Sequence, residues 1–332
     1  MKLDSMTRRT AIAVAAAASV FLLAACSSTP ADPALATGID TLNIVVPADP
    51  GGGWDQTGRA IEKDLQSNDL VTSASVVNVG GAGGTNGLAS LKTEKDVNTL
   101  MVMGYVMVGA VETNNSPNRI EDTTPIARLT DEPLVVVVPE DSPYATMSEL
   151  LAAIEAEGQG ISVTGGSAGG ADHILGGMML KAEGIDADKL NYIPYSGGGE
   201  SLAALLGNKV NAGISGVGEY AEQVKAGKLR ALAVSGSTRA SQLPDVETLT
   251  EQDIDVVLTN WRGVVAPGSI DAEQAALLTA LMEDLHASDS WKTTLADNNW
   301  ADAFMIGDEF ATFLTEDIAT VKVTLKDIGL LQ

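Results

Sequence analysis

The chain has 332 residues, 44 of them acidic and 20 basic, for a formal charge of −24, and 45% are apolar. That length and apolar content suit about two folded domains, and so few basic groups argue against a nucleic-acid partner. The single cysteine, Cys26, excludes an intrachain disulfide, and two distant histidines, His173 and His286, leave nothing for a Cys- or His-rich metal centre, so neither metal nor cofactor is expected.

Lys2, Arg8 and Arg9 precede a run of small and apolar residues at 11–25, broken only by Ser19. The run is shorter than the roughly 20 residues of a membrane span, and residues 1–25 read as an export signal. It ends in Leu23-Ala24-Ala25-Cys26, which resembles the bacterial lipobox whose cysteine is acylated and becomes the mature N-terminus. The alternative is an ordinary cleaved signal with a chance cysteine. Arg8-Arg9 also fits twin-arginine export, although Thr10-Ala11-Ile12 continues that motif poorly, and Met1 and Met6 both remain open as starts. Residues 26–41 are then the lipidated cysteine and a flexible tether rich in Ser, Thr, Pro, Ala and Gly. The domain is expected outside the cytoplasm, anchored to the membrane by lipid.

From residue 42 strands and helices alternate. Strands are expected at 42–46, 76–79, 100–103, 134–138, 161–164, 191–194, 230–234 and 256–265. Helices are expected at 55–65, just after the turn at 80–87, and at 147–157, 174–183, 200–206, 272–286 and 309–326. Strands separated by helices predict βαβ units and an α/β fold with parallel-rich sheets. The simplest layout is two α/β lobes, with the chain crossing between them more than once. Trp291 and Trp300 read as core residues, and the acidic residues as mostly solvated surface.

Four glycine-rich turns each follow a strand and precede a helix: Pro50-Gly51-Gly52-Gly53-Trp54-Asp55, Gly80-Gly81-Ala82-Gly83-Gly84-Thr85-Asn86-Gly87, Gly165-Gly166-Ser167-Ala168-Gly169-Gly170-Ala171-Asp172 and Ser196-Gly197-Gly198-Gly199-Glu200. The first N–H groups of a helix have no partner within it and carry partial positive charge. Glycine lets a ligand approach them, so such a turn binds an anion without Lys or Arg. In open α/β sheets the ligand crevice lies at these strand ends. A cleft lined by four such turns suits a small carboxylate. Tight βα connections alone do not need three glycines each. Asp55, Asp172 and Glu200 also fit as acids favoured by the helix dipole.

These residues resemble the substrate-binding proteins of the tripartite tricarboxylate transporters, the TctC or Bug family. Val46-Pro47 with the first turn, and Asn78 with the second, are similar to the family's opening signatures. Ser167 to His173, Ile193 to Gly199, Gly227 to Val234, Arg239 with Leu243-Pro244-Asp245-Val246, and Trp261 with Gly263 and Ala266-Pro267 follow in the expected order. The resemblance covers residues 42–332. It implies a two-lobed, type II-like periplasmic-binding-protein fold with a central cleft and hinge crossings, lobe one being 42–135 plus 256–332 and lobe two 136–255. It also implies a receptor, not an enzyme, that delivers a carboxylate solute to a membrane permease with a large and a small subunit. The ligand contacts it implies are Gly51, Gly52, Gly53, Asp55, Ala82, Gly83 and Gly84 in lobe one. In lobe two they are Ser167, Gly169, Gly170, His173, Tyr195 and Gly197. Two residues depart from the pattern. Trp54 stands where the family often has a small residue, which would narrow the mouth or make it apolar. Arg262 stands where an apolar residue is usual; pairing with a second carboxylate and pointing into solvent are both open, and solvent is the expectation.

The main rival is a lipid-anchored hydrolase, because Gly165-Gly166-Ser167-Ala168-Gly169 satisfies the nucleophile-elbow pattern. His173 sits only six residues after Ser167, poorly placed to turn back as its base. It reads instead as a first-turn donor to ligand or loop, or as a structural histidine; His286 reads as a helix-terminal residue. Dinucleotide binding is weaker, since Asn86 stands where the third glycine of G-x-G-x-x-G belongs.

Overall fold

The computed structural model describes residues 38–195 and 197–331. The expected export signal, Cys26 and most of the expected tether lie outside them. The chain runs β1 (Thr41–Val46), α1 (Gly53–Ser67), β2 (Ser73–Asn78), α2 (Thr85–Leu91), β3 (Thr99–Gly104), α3 (Tyr105–Thr113), β4 (Thr124–Asp131) and β5 (Leu134–Pro139). Then come α4 (Met147–Glu157), β6 (Ser162–Gly165), α5 (Ala171–Ala182), β7 (Asn191–Pro194), α6 (Gly198–Leu206), β8 (Ala212–Gly216), α7 (Val217–Lys225) and β9 (Leu229–Val234). The described elements end with β10 (Arg262–Ala266), α8 (Ala272–Ala287), α9 (Asp289–Asn298), β11 (Ala301–Ile306) and α10 (Gly307–Asp327).

The strands form two sheets, in the orders β11-β4-β10-β3-β1-β2 and β7-β6-β8-β5-β9. Each has a parallel half, β1–β3 in the first and β6–β8 in the second, completed by antiparallel pairing through β10 or β5. Each sheet is the centre of one lobe. The inner strands β3 and β5 are buried at every position, as strands covered on both faces should be. β5 also feeds two cores. Val135 and Val137 join a local cluster with Leu205 and Tyr220, while Leu134, Val136 and Val138 join the main core, as the two-residue alternation of a strand requires.

The expected strand at 256–265 begins only at Arg262. Ile254, Val256 and Leu258 are buried and Val257 is 49% exposed, so the burial alternates as in a strand, but residues 254–258 belong to no sheet ladder. This stretch is the return crossing between the sheets. β4, α3, β8, α7, α9 and β11 were not anticipated by the sequence pattern. β8 is the instructive case: Ala-Gly-Ile-Ser-Gly has little β propensity, and full burial between β5 and β6 makes it a strand.

The outgoing crossing, between Asp131 and Leu134, is bonded to the returning one. The Asn260 N–H donates to the Glu132 carbonyl (2.8 Å), and Pro133 bridges Thr259. The Glu132 side chain accepts from Arg262 Nη2 at 2.6 Å and from the Gly218 N–H at 2.8 Å. Arg262 opens β10 in the first sheet, and Gly218 lies in the first turn of α7 beside the second. One buried carboxylate therefore ties both lobes to the crossing. Removing one partner of a buried ion pair strands the other charge, so Glu132→Ala should lose about 3–5 kcal/mol of unfolding free energy in urea. Asp327→Ala, which breaks the exposed 2.8 Å pair with Lys181, should cost under about 1 kcal/mol in the same assay.

Candidate functional site

A cavity of about 400 Å³, within the usual range for small-molecule sites, lies between the strand ends of the two sheets. The first lobe lines it with the turns after β1 and β2, and the second with those after β6, β7 and β8. Asn260 and Arg262 reach it from the return crossing. All four glycine-rich turns expected from the sequence are at this cavity, and the β8–α7 turn is a fifth.

The helices that start here share one kind of N-terminus, which α3 (Gly104) also has, and α10, at Ile306, has no side-chain cap either. α1, α2, α5, α6 and α7 have Gly52, Gly84, Gly170, Gly197 and Gly216 at the N-cap, with no side-chain cap. The remote helices α4, α8 and α9 are capped by the side chains of Thr146, Asp271 and Ser288. A cap removes a free N–H, and glycine leaves it for another acceptor. The turn after β2 goes further. Gly81, Ala82, Gly83 and Gly84 all have positive φ, at 110°, 52°, 62° and 90°. Only glycine adopts such values without penalty, and the run turns successive peptide groups in a way a bulkier sequence would resist. A Cβ on Gly84 would lie 2.8 Å from the Trp54 ring, so Trp54 packs directly on this turn and forms a buried, apolar part of the cavity lining.

Gly52, Gly53, Ala82, Gly83, Gly84, Ser167, Tyr195 and Gly197 line the cavity. Gly51, Asp55, Gly169, Gly170 and His173 do not; they brace it from behind. Asp55 accepts from the Gly51 N–H, Arg59 and Asn78, all at 2.9 Å. Burial opposes its ionised form, but the bonds from Arg59, Asn78 and Gly51 prevail and hold its carboxyl below the ordinary range. Asp172 plays the matching part in lobe two, accepting from the Gly166 N–H at 2.6 Å. Among the described residues it has no ion-pair partner like Arg59, and burial pushes its carboxyl up to about 7. Of the two readings left open for His173 the structural one fits, with its Nδ1 as acceptor. Its Nδ1 takes the Gly169 N–H (3.1 Å), its ring stacks on Tyr192 at 4.1 Å, and the Tyr192 hydroxyl donates to the Gly166 carbonyl (2.9 Å). Burial lowers its pKa to about 4, which keeps the ring neutral. Gly169 and Gly170 pack on α3, where a Cβ would strike Thr113 and Val106.

Arg262 overturns the expectation that it faces solvent. It is 2% exposed, paired with Glu132 and set 5.4 Å over the Trp300 ring. Its Nη1 and the Oδ1 of Asn260 are buried without a hydrogen-bond partner among the described residues. Glu219, on α7, also lines the cavity, accepting from Ser215 and, across the lobes, from the Gly53 N–H. Burial raises its carboxyl above the ordinary range. Glu132, Glu219 and Asn260 carried no sequence signal, because an isolated acid or amide reads as solvated surface. Recognising Ser215-Gly216-Val217-Gly218-Glu219 as a fifth strand–glycine–helix turn would have found Glu219. Ser167 lines the cavity while His173 lies outside it with its Nδ1 engaged, which is not the nucleophile–base pairing a hydrolase needs.

Residues 59–330 match the family model of the tripartite tricarboxylate transporter family receptor, TctC. The chain belongs to this family. It is therefore an extracytoplasmic solute-binding receptor of a transport system and not an enzyme. It is 27% identical over 294 residues to the protein BugT of Bordetella pertussis, covering 87% of this chain and 89% of that one. Its fold is that of MatC from Rhodopseudomonas palustris with bound malate (TM-score 0.76, 22% identity, 86% of this chain and 99% of that one). A second R. palustris protein, solved with adipate, gives a TM-score of 0.79 at 19% identity, covering 87% and 97%. No described helix of the receptor is long and apolar enough to cross a membrane.

The raised Asp172 carboxyl has a signed consequence. The folded protein keeps this proton at pH values where the unfolded chain has lost it, so stability is greatest below the ordinary pKa and falls as pH rises toward about 7. Asp172→Asn keeps an oxygen acceptor for Gly166 and does not titrate. Urea unfolding of both proteins should show the wild type losing stability relative to the variant from about pH 4 to about pH 7, with no further loss above.

Proposed function

We propose that the receptor captures a small carboxylate in this cavity and delivers it to a membrane permease built of a large and a small subunit. The observation that carries this reading is the ring of uncapped, glycine-started helices contributed by both lobes to one cavity. The N–H groups of Gly52 at α1, of Ala82 and Gly83 in the turn after β2, and of Gly197 at α6 are the proposed carboxylate contacts; Gly53 and Gly84 line the cavity beside them with their N–H groups engaged by Glu219 and the Gly81 carbonyl. Ser167 and Tyr195 complete the set from lobe two. Gly51, Asp55, Gly169, Gly170 and His173 act by holding those turns in place. The malate and adipate of the two structural relatives support a carboxylate solute. The two sheets support a division into two lobes close to the expected bounds, with the outgoing boundary just before Leu134 instead of at 135/136, because β5 pairs wholly within the second sheet.

Closure is the proposed mechanism. A solute bound to one lobe's turns gains the other lobe's N–H groups only when the cleft shuts, so binding shifts the population toward the closed form. The lobes come close enough for this. A Cβ built on Gly52 would lie 3.8 Å from the Gly197 Cα across the cleft. The permease would then recognise the closed face. Acyl chains on Cys26, outside the described residues, would hold the receptor at the membrane, since each buried CH₂ adds about 0.8 kcal/mol.

Two measurements check these proposals. In thermal unfolding against a panel of small carboxylates and their amides, a carboxylate at about 100 times its Kd should add about 2.7 kcal/mol, and its amide should add nothing. Gly52 has an extended backbone (φ −84°, ψ 175°) that any residue adopts. Gly52→Leu should therefore leave the ligand-free melting temperature nearly unchanged while weakening carboxylate binding by at least ~100-fold. For the anchor, Cys26→Ser should move the receptor from the membrane fraction to the soluble fraction; retention at the membrane would defeat that proposal.

A further inference from the structure

Glu219 reaches the cavity from the first turn of α7 and is only partly buried, so its carboxyl is open to a solute. That carboxyl sits where glycine turns of the two lobes meet. It accepts from Ser215 beside it and from the Gly53 N–H across the cleft. A Cβ built on Gly198 would overlap it, and one on Gly52 would lie 4.0 Å from its Oε1. If Gly52 and Gly197 hold a carboxylate, as proposed above, the bound solute rests beside a second carboxyl. The charges around Glu219 do not relieve that conflict. It faces Glu132 from the crossing, Asp172 from α5, Arg262 from β10 and Tyr220 on its own helix, and Glu200 of α6 lines the same cavity. Arg262, the only basic residue lining the cavity among the described residues, is matched by Glu132 at 2.6 Å. Asp55 and Arg59 of α1 pair with each other at 2.9 Å. Burial already raises the Glu219 carboxyl above its ordinary range. Two carboxyls in one site resist ionising together, and one of them then keeps a proton.

We propose that the receptor takes up a proton together with its carboxylate solute, and that this proton goes to the carboxyl of Glu219. The inference rests on the carboxylate reading of the cavity. The solute's charge is held by uncapped N–H groups from several turns, whereas Glu219 has one N–H and one hydroxyl, so Glu219 is the group that is neutralised. The step is a protonation by solvent: one O–H bond forms on Glu219 and no other bond changes. An ionised Glu219 only accepts hydrogen bonds and repels the solute, whereas a protonated one donates to a solute oxygen. Asp172 is less suited to the part, being 7% exposed and turned onto the Gly166 N–H at 2.6 Å. Glu219 thus makes capture tighter as pH falls and looser as it rises.

The test is calorimetric titration of the full-length chain in detergent with malate, succinate, glutarate and adipate, whose carboxyls are all ionised above about pH 7. Each is titrated at about pH 7.5 and about pH 8.5, in HEPES and in Tris, two buffers that release a proton with different heats. For a probe that binds, the difference in observed heat should report uptake of at least about half a proton per solute, and affinity should fall at least about 3-fold between the two pH values. Glu219→Gln, which keeps an oxygen acceptor for Ser215 and Gly53, should bind with the same heat in both buffers and the same affinity at both pH values. Asp172→Asn should keep the uptake. The wild-type comparison needs no variant, so a misfolded Glu219→Gln protein does not shield the proposal. Equal heats in the two buffers, with affinity independent of pH, would overturn it and leave the carboxylate reading standing. Uptake that survives Glu219→Gln, or that Asp172→Asn alone abolishes, would overturn the assignment to Glu219. If none of the four binds, the carboxylate that stabilises the receptor in the thermal panel replaces them, and a panel without any such carboxylate overturns both readings.

Discussion

Glu132 accepts at once from a guanidinium in one lobe and a helix N–H in the other, and it does so inside a two-stranded crossing with almost no solvent contact. Ion pairs this deep are seldom a source of net stability, because each charge gives up its hydration. Their value is geometric. The bond directions fix how β10 leaves the crossing and where α7 starts beside it, and those two elements bring Arg262 and Glu219 to the cavity. A hinge made only of apolar residues would bury its surface equally well in several arrangements. One carboxylate with donors on both sides favours a single one.

The two lobes solve the same local problem with related devices. A glycine turn left to itself is entropically loose, since glycine loses most freedom on ordering. In each lobe an aspartate in the first turn of the following helix reaches back to an N–H of the glycine turn before it: Asp55 to Gly51, Asp172 to Gly166. The turn is held at its far end while the helix N-terminus stays uncapped. The lobes differ in charge. The bonds from Arg59, Asn78 and Gly51 keep Asp55 ionised, whereas burial, with Glu219 and Glu132 nearby, outweighs the Gly166 N–H and Arg262 at Asp172 and pushes its carboxyl up to about 7. His173 and Tyr192 brace the lobe-two turn from its outer side through neutral hydrogen bonds, without adding charge to the cavity.

The sequence made the backbone part of the site legible, with Trp54, Ser167 and Tyr195, but not Glu132, Glu219 or Asn260. Glycine clusters at strand ends are local signals with a local cause, and the turns they mark all converge on the cavity. The long apolar runs of β3 and β5 were equally plain. The crossing was misread because alternation reports burial and not hydrogen bonding: Val256 and Leu258 are buried as in a strand, with no ladder beside them. Whether Arg262 is solvated or buried depends on Glu132, 130 positions away, and on Trp300 beneath it. No window of sequence contains that information. His173 was legible as a candidate by position, but its role turned on tautomer and packing, which only the neighbouring Gly169 and Tyr192 decide.

A formal charge of −24 sets a problem for any receptor of anions, and the geometry shows how it is met. At physiological ionic strength the field of surface carboxylates decays over about 8 Å, so most of the acidic surface is screened from a solute inside the cleft. Within the closed cavity the nearest partial charges decide, and at the turns these are uncapped helix N–H groups. The global charge therefore acts on the approach more than on the bound state. It slows encounter with an anion, whereas the closed cleft slows escape, and affinities within one class of site are set mostly by the escape rate. A receptor arranged this way tolerates an acidic exterior, provided its few buried carboxylates are paired, as Glu132 is with Arg262, or protonated.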